Sequence, residues 1–208
     1  MIGRFISFEG GEGVGKSTQI KAVEQVLRAS GVELIVTREP GGSAGAEAIR
    51  ILLMEGADDR WSARAEALLF AAARADHVDK VIGPALKRGL WVLCDRYVDS
   101  TRAYQGGGGG LTDDDIMRLH HIGTGGLMPD RSFLLTLSAE KAAARLRLRD
   151  VGGADRMGSK TAAYQQRLAQ RFEELARNEP DRWRVIDADQ IATEVTKTIM
   201  AELEAWLP

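Results

Sequence analysis

Eight residues near the start of the chain, Gly10-Gly11-Glu12-Gly13-Val14-Gly15-Lys16-Ser17, limit what it can fold into more than any other feature. They fit G-x-x-x-x-G-K-[ST], a loop whose backbone N–H groups converge on phosphate oxygens. The flanks are those the mechanism needs. The apolar run Phe5-Ile6-Ser7-Phe8 precedes the loop and a helical pattern starts at Lys16. Strand, glycine turn and helix N-terminus thus follow one another, and the helix end adds partial positive charge beside the converging N–H groups. In such a loop Lys16 reaches the β- and γ-phosphates and the Ser17 hydroxyl can ligate Mg²⁺. The expected nucleotide contacts are Gly10, Gly11, Glu12, Gly13, Val14, Gly15, Lys16, Ser17 and Thr18, and the expected ligand is a nucleoside triphosphate.

The rest of the chain keeps the same alternation. Short β-rich apolar runs predict strands over 4–9, 33–37, 90–95, 132–137 and 183–187. Between them, helical patterns cover 16–29, 46–53, 63–88 with Pro84 near its end, 112–122, 139–149, 162–178 and 191–207. Strands alternating with helices imply βαβ units and a parallel sheet buried on both faces. Thr112 with Asp115 reads as a capping box, and Gly31 as a helix stop. With 208 residues and 44% hydrophobic side chains the chain is one domain with a full core, and no 20–50-residue repeat divides it. The five glycines at 106–110 read as a flexible connector, because no Lys-Ser or Lys-Thr follows them.

Charge narrows the partners. With 28 Lys+Arg against 30 Asp+Glu the net charge is −2, so the broad basic field that attracts nucleic acid or a membrane surface is missing. Any anion site is local. The single cysteine, Cys94, has no partner for an internal disulfide, and no uncharged run approaches the ~20 residues of a membrane span. A cytoplasmic protein without signal peptide or membrane span is expected.

Leu90-Trp91-Val92-Leu93-Cys94-Asp95 is an apolar strand ending in a carboxylate at the edge where open α/β folds bind ligands, which makes Asp95 the second candidate for Mg²⁺. Cys94 beside it reads as core. A switch GTPase would need an Asn-Lys-x-Asp motif, which does not occur, and a motor ATPase usually sits in a larger chain. The size favours a small kinase. A kinase with a phosphorylated acceptor needs a second cationic cluster, because two anions must meet against their repulsion. Arg96 follows Asp95, Arg38 follows the second strand, and Arg50 lies on the next helix. The planar guanidinium binds phosphate bidentately. Phe70 and Arg74 stand i and i+4 on one helix and can stack on a base and bond its edge, although Phe70 also suits the core.

Taken together, the loop at 10–18, Thr37-Arg38-Glu39-Pro40-Gly41-Gly42, Leu69-Phe70-Ala71-Ala72-Ala73-Arg74, Asp95-Arg96-Tyr97 through Ser100-Thr101, and Ala103-Tyr104-Gln105-Gly106-Gly107 resemble the thymidylate kinases over about 4–207. The resemblance implies a P-loop nucleoside-monophosphate kinase fold, an α/β architecture with a five-stranded parallel sheet flanked by helices and a short mobile lid. It implies transfer of the γ-phosphoryl group of ATP to dTMP with Mg²⁺. It further implies that Phe70 stacks on thymine, Arg74 bonds its exocyclic oxygen, Ser100 and Thr101 read the base edge with Gln105 nearby, and Tyr104 crowds the sugar 2′ position. Arg96 would bind the acceptor phosphate, with Arg38 and Arg50 as further candidates, and Glu12 would lie near the 3′-hydroxyl.

An acid at Glu12 resembles the bacterial type, whose basic lid supplies transition-state charge. A lid is expected over 145–160, carrying Arg145, Arg147, Arg149, Arg156 and Lys160, with Arg156 and then Arg149 as the phosphate-touching arginines. Val151-Gly152-Gly153-Ala154 departs from the family wording there. The predicted catalytic set is therefore Lys16, Asp95, Arg96, Arg149 and Arg156. The family also implies a homodimer. Two rivals are a deoxynucleoside kinase, with Glu39 as general base toward a neutral hydroxyl, and a nucleotide-binding module without turnover. The histidines His77, His120 and His121 have no metal-ligand spacing.

Overall fold

The computed structural model describes residues 2–57, 59–106, 110–149 and 162–207. Five strands, β1 (Phe5–Glu9), β2 (Leu34–Arg38), β3 (Trp91–Asp95), β4 (Arg131–Thr136) and β5 (Trp183–Asp187), pair in parallel in the order β2-β3-β1-β4-β5. Each lies within a residue or so of its predicted span. β1 shows why: Ile6 and Phe8 point to one face, Phe5 to the other, and all are buried. On the first face pack α1 (Lys16–Ala29) and α9 (Ala192–Ala201), through Ile20, Val23, Leu27, Val195 and Ile199. On the second face Val92 and Cys94 meet Val78, Ile82 and Ala85, so Cys94 is core.

Where the expected helix 63–88 runs, the chain forms α3 (Ala63–His77), a π-helical turn over Val78–Ile82 and a short α4 (Gly83–Lys87). Pro84 has no N–H for an intrahelical bond, and the wider turn before it absorbs the fault. Helix 191–207 likewise ends at Ala201, with a separate turn over Glu204–Trp206. α2 (Ala44–Met54) and α6 (Asp113–Thr124) complete the predicted set with α7 (Ala139–Arg149) and α8 (Ala162–Asn178), and the Thr112–Asp115 capping box forms in both directions. No periodicity announces α5 (Val98–Thr101) or the π-helical turn Arg102–Gly106 after it, because both are too short. Gly107, Gly108 and Gly109, and most of the expected lid including Arg156 and Lys160, lie outside the described residues.

Strand order positions the site. With β3 between β2 and β1, Arg38 pairs with Asp95, and Asp95 with Phe8, so three carboxyl-terminal strand ends lie side by side. Ligands of open parallel sheets bind at such an edge.

Candidate active site

β1 delivers the chain into the loop at Gly10, and Gly15, at φ 102°, ends the loop in the left-handed region that glycine enters without cost. Gly15 is the N-cap of α1 and supplies no side chain, so the first N–H groups of the helix stay available to an anion. Lys16 folds back over the loop and donates to the carbonyls of Gly11 (2.8 Å) and Gly10 (3.2 Å). It is only 7% exposed; burial first, and then Arg96, lower its pKa to about 8. Ser17 Oγ donates to Asp95 Oδ2 at 3.2 Å. The other oxygen, Asp95 Oδ1, is buried and has no hydrogen-bond partner among the described residues.

Immediately after β3 the backbone turns sharply at Arg96, whose φ of 68° is strained for a side chain of this size. The turn throws the guanidinium back across the loop. There it donates to Glu12 Oε1 (2.5 Å), the Gly10 carbonyl (2.9 Å) and Ser100 Oγ (3.2 Å), and lies 5.2 Å from the Tyr104 ring centre. Burial disfavours the charge on Arg96, but Tyr104, Glu12, Asp95 and Glu9 outweigh it and hold the pKa above its usual value. Ser100 Oγ in turn donates to Glu9 Oε2 (2.6 Å), and Tyr97 N to Glu9 Oε1 (2.9 Å). Burial, followed by the charge of Asp99, raises the Glu9 pKa to about 8.

The opposite wall comes from α3. Phe70 is half buried and, like Met54, packs against the cluster that holds Tyr104 and Phe172, so it serves the core and the cleft together. Arg74 donates through Nε to Glu39 Oε2 (2.7 Å) and through Nη2 to Thr101 Oγ1 (2.8 Å). Gln105 is anchored to Glu66 (2.8 Å), and the buried Tyr104 hydroxyl has no hydrogen-bond partner among the described residues. Arg38 sits at the rim paired with Glu47 (2.9 Å), and Arg50 donates to the Pro40 carbonyl (2.8 Å).

One cleft with about 1130 Å³ of open space gathers Glu12, Gly13, Gly15, Lys16, Ser17 and Thr18 with Arg38, Arg50, Phe70, Arg74, Asp95, Arg96, Ser100, Thr101, Tyr104 and Gln105. Gly10 and Gly11 contribute the carbonyls that hold Lys16. Val14 lines a neighbouring pocket with Gly15, Gln19, Arg145, Ala188 and Gln190. Arg145 from α7 reaches the Val14 and Ala188 carbonyls (3.4 and 3.0 Å). Arg149 closes α7, but its side chain, like Arg156, lies outside the described residues. Sequence reasoning missed Met54 and Pro40 in the wall and the pairing role of Glu39; the helical spacing of Met54 with the α2 core positions was the available signal.

The arrangement can hold a triphosphate on the loop and a second anionic group at Arg96, and Phe70 and Arg74 can hold a planar group between them. The chain as a whole is similar to known proteins. The thymidylate kinase family model matches residues 8–199. A thymidylate kinase of Rhizorhabdus wittichii is 53% identical over the full length of both chains, and one of Caulobacter vibrioides is 54% identical over 95% of this chain and 94% of its own. The crystal structure of thymidylate kinase from Ehrlichia chaffeensis superimposes with a TM-score of 0.79 at 29% identity, covering 97% of this chain and 98% of that one.

Proposed function

The chain belongs to the thymidylate kinase family, and on that premise we propose that it transfers the γ-phosphoryl group of ATP to dTMP, giving ADP and dTDP. The observation that carries this reading is the single cleft in which Lys16 and Ser17 face Arg96, Phe70 and Arg74. ATP sits with its phosphates on residues 10–18, and dTMP with its base between Phe70 and Arg74 and its phosphate toward Arg96. The acceptor phosphate has a second pKa near 6 and is ionised at neutral pH, so it attacks without a general base. The protein's task is to align two anions and neutralise their charge. Lys16 does this on the donor side and Arg96 on the acceptor side, with Arg38 and Arg50 at the rim and Arg149 and Arg156 completing it from the lid. Glu12 orients Arg96 and faces the sugar. Glu39 is not the base of a deoxynucleoside kinase in this reading: it is buried, and both carboxylate oxygens are engaged, by Arg74 and by His77.

Ser17 and Asp95 suit Mg²⁺, a hard cation that takes oxygen ligands, and the unpartnered Asp95 Oδ1 is in keeping with that role. Bound with ATP, Mg²⁺ neutralises charge on the β- and γ-phosphates. Among the described residues no helix is long and apolar enough to cross a membrane. Residues 1–208 form one kinase domain in this reading, working in the cytoplasm as a homodimer through the exposed apolar side chains Ile51, Leu68 and Ile122 of α2, α3 and α6. A solution mass twice that of the chain checks the dimer.

The activity is tested by ADP release from Mg·ATP with dTMP, dUMP, UMP, dCMP and thymidine compared as acceptors. dTMP is expected to be strongly preferred. Turnover of thymidine without dTMP would overturn the reading.

A further inference from the structure

Arg74 reaches the cleft as the front member of a buried relay. Behind it, Glu39 accepts from Arg74 Nε at 2.7 Å through one carboxylate oxygen and meets His77 Nδ1 at 3.1 Å through the other. His77 Nε2 then meets Thr37 Oγ1 at 2.7 Å. Arg74 and Glu39 are 3% and 4% exposed and His77 is fully enclosed, so solvent does not loosen these three, while Thr37 at the outer end is half-buried. A carboxylate paired with a guanidinium only accepts, so Nδ1 carries the ring proton and the orientation of His77 follows from its two neighbours. Gly42 presses on the far end: a Cβ there would come within 2.3 Å of His77 Nε2 and 2.5 Å of Thr37 Oγ1.

The relay leaves one feature unused. Nε and Nη2 of Arg74 are taken by Glu39 and Thr101, while Nη1 has no hydrogen-bond partner among the described residues, in a side chain that lines the cleft. Two anchored nitrogens define the plane of a guanidinium, and the third then points in one direction. An N–H donor fixed in this way donates to a ring carbonyl and opposes an exocyclic amino group, which also donates.

We propose that Glu39, His77 and Thr37 are positioning residues for base selection: they lock Arg74 so that its free N–H donors choose a pyrimidine with a carbonyl, rather than an amino group, at the edge it faces. This rests on the assignment of dTMP as acceptor. None of the three touches the substrate; they act by denying Arg74 the rotation that would let it tolerate the wrong base.

The test compares Thr37→Val, Thr37→Ser, His77→Gln and Glu39→Gln with the parent enzyme, reading KM for dTMP, KM for ATP and the ratio of kcat/KM for dTMP over dCMP. Thr37→Val, which removes the hydroxyl at nearly constant volume, is expected to raise KM for dTMP about fivefold and leave KM for ATP within about twofold. Thr37→Ser restores the parent value. His77→Gln and Glu39→Gln are expected to raise KM for dTMP at least about tenfold and to lower the dTMP/dCMP ratio by a similar factor. The two KM values moving together, or an unchanged ratio in all variants that fold by thermal melting, overturns the proposal. Thr37→Val keeps the test decisive if Glu39→Gln does not fold. A parent enzyme that ignores dTMP would defeat the acceptor assignment itself, a failure seen before any variant is made.

Discussion

Raising the pH from 7 to 9 is expected to weaken nucleotide binding through one side chain, Lys16. Its ammonium is enclosed by the loop it serves, and burial, helped by Arg96, brings its pKa from 10.5 to about 8 despite the opposing charges of Asp95, Glu12 and Glu9. Phosphate oxygens favour the charged form, so ATP binding takes up a proton wherever the free enzyme has lost one. With a pKa of about 8, the charged fraction of the free protein is roughly 0.9 at pH 7, about half at pH 8 and about 0.1 at pH 9. The Kd for ATP should therefore about double by pH 8 and rise roughly tenfold by pH 9, with about half a proton taken up per nucleotide at pH 8. The phosphates themselves, with a second pKa near 6, are ionised before this window opens. Isothermal titration calorimetry in two buffers of different ionisation enthalpy measures both quantities. Glu9, also raised to about 8 by burial and then by Asp99, is the group to exclude. Lys16→Met should abolish the uptake and Glu9→Gln should keep it. A Kd that does not change between pH 7 and 9, or an uptake that survives Lys16→Met and vanishes in Glu9→Gln, refutes the reasoning.

Three further outcomes are expected. Arg96→Ala should lower kcat/KM for dTMP by about 100-fold or more, since it removes the proposed acceptor-side cation together with its ion pair to Glu12; a tenfold or smaller loss in steady-state kinetics would sink that role. Asp99 is 0% exposed and held by Arg182 (2.6 Å) and Arg102 (3.0 Å), which keep Glu179 and Asp113 as other partners. Because that compensation is partial, Asp99→Ala should cost about 3 kcal/mol and lower Tm by roughly 6–12 °C, and a calorimetric shift under about 2 °C would contradict it. His120, buried with Nε2 against the Leu127 carbonyl (3.0 Å), has its pKa lowered to about 4 by burial and then by Arg74. The folded value lies below the unfolded one, so this stabilisation is complete above about pH 6.5 and is lost as pH falls toward 4. Chemical denaturation across that range should show a shallower acid loss in His120→Gln than in the parent.

Local signals were legible in the sequence wherever the physics is local. The loop glycines, Lys16 and Ser17 are contiguous, a buried parallel strand needs a short apolar run, and a helix stop or capping box spans four residues. The strand assignments and most helices follow from these alone. The breaks at Val78 and Ala201 do not: Pro84 is visible in the sequence, but neither the π-helical turn that takes up its missing bond nor the loss of the last turn after Ala201 leaves a mark in the periodicity. The short α5 and the turn after it, which carry Ser100, Thr101, Tyr104 and Gln105, were visible only as a motif resemblance.

The pairings inside the site belong to the tertiary structure. Arg96 and Glu12 are 84 residues apart and Arg74 and Glu39 are 35 apart. No spacing rule joins such pairs. They meet because the order β2-β3-β1 sets the ends of three strands side by side and because Arg96 takes a backbone conformation unfavourable for its type. The sequence by itself determined that a glycine loop joins a buried strand to a helix, the unit on which phosphate binding is proposed, and that arginines follow the neighbouring strands. Which arginine is free to meet a ligand, and which carboxylate is spent in holding another side chain still, was decided only when folding enclosed Glu39, His77 and Arg74 together, since a buried charge must take whatever partner the topology brings within reach.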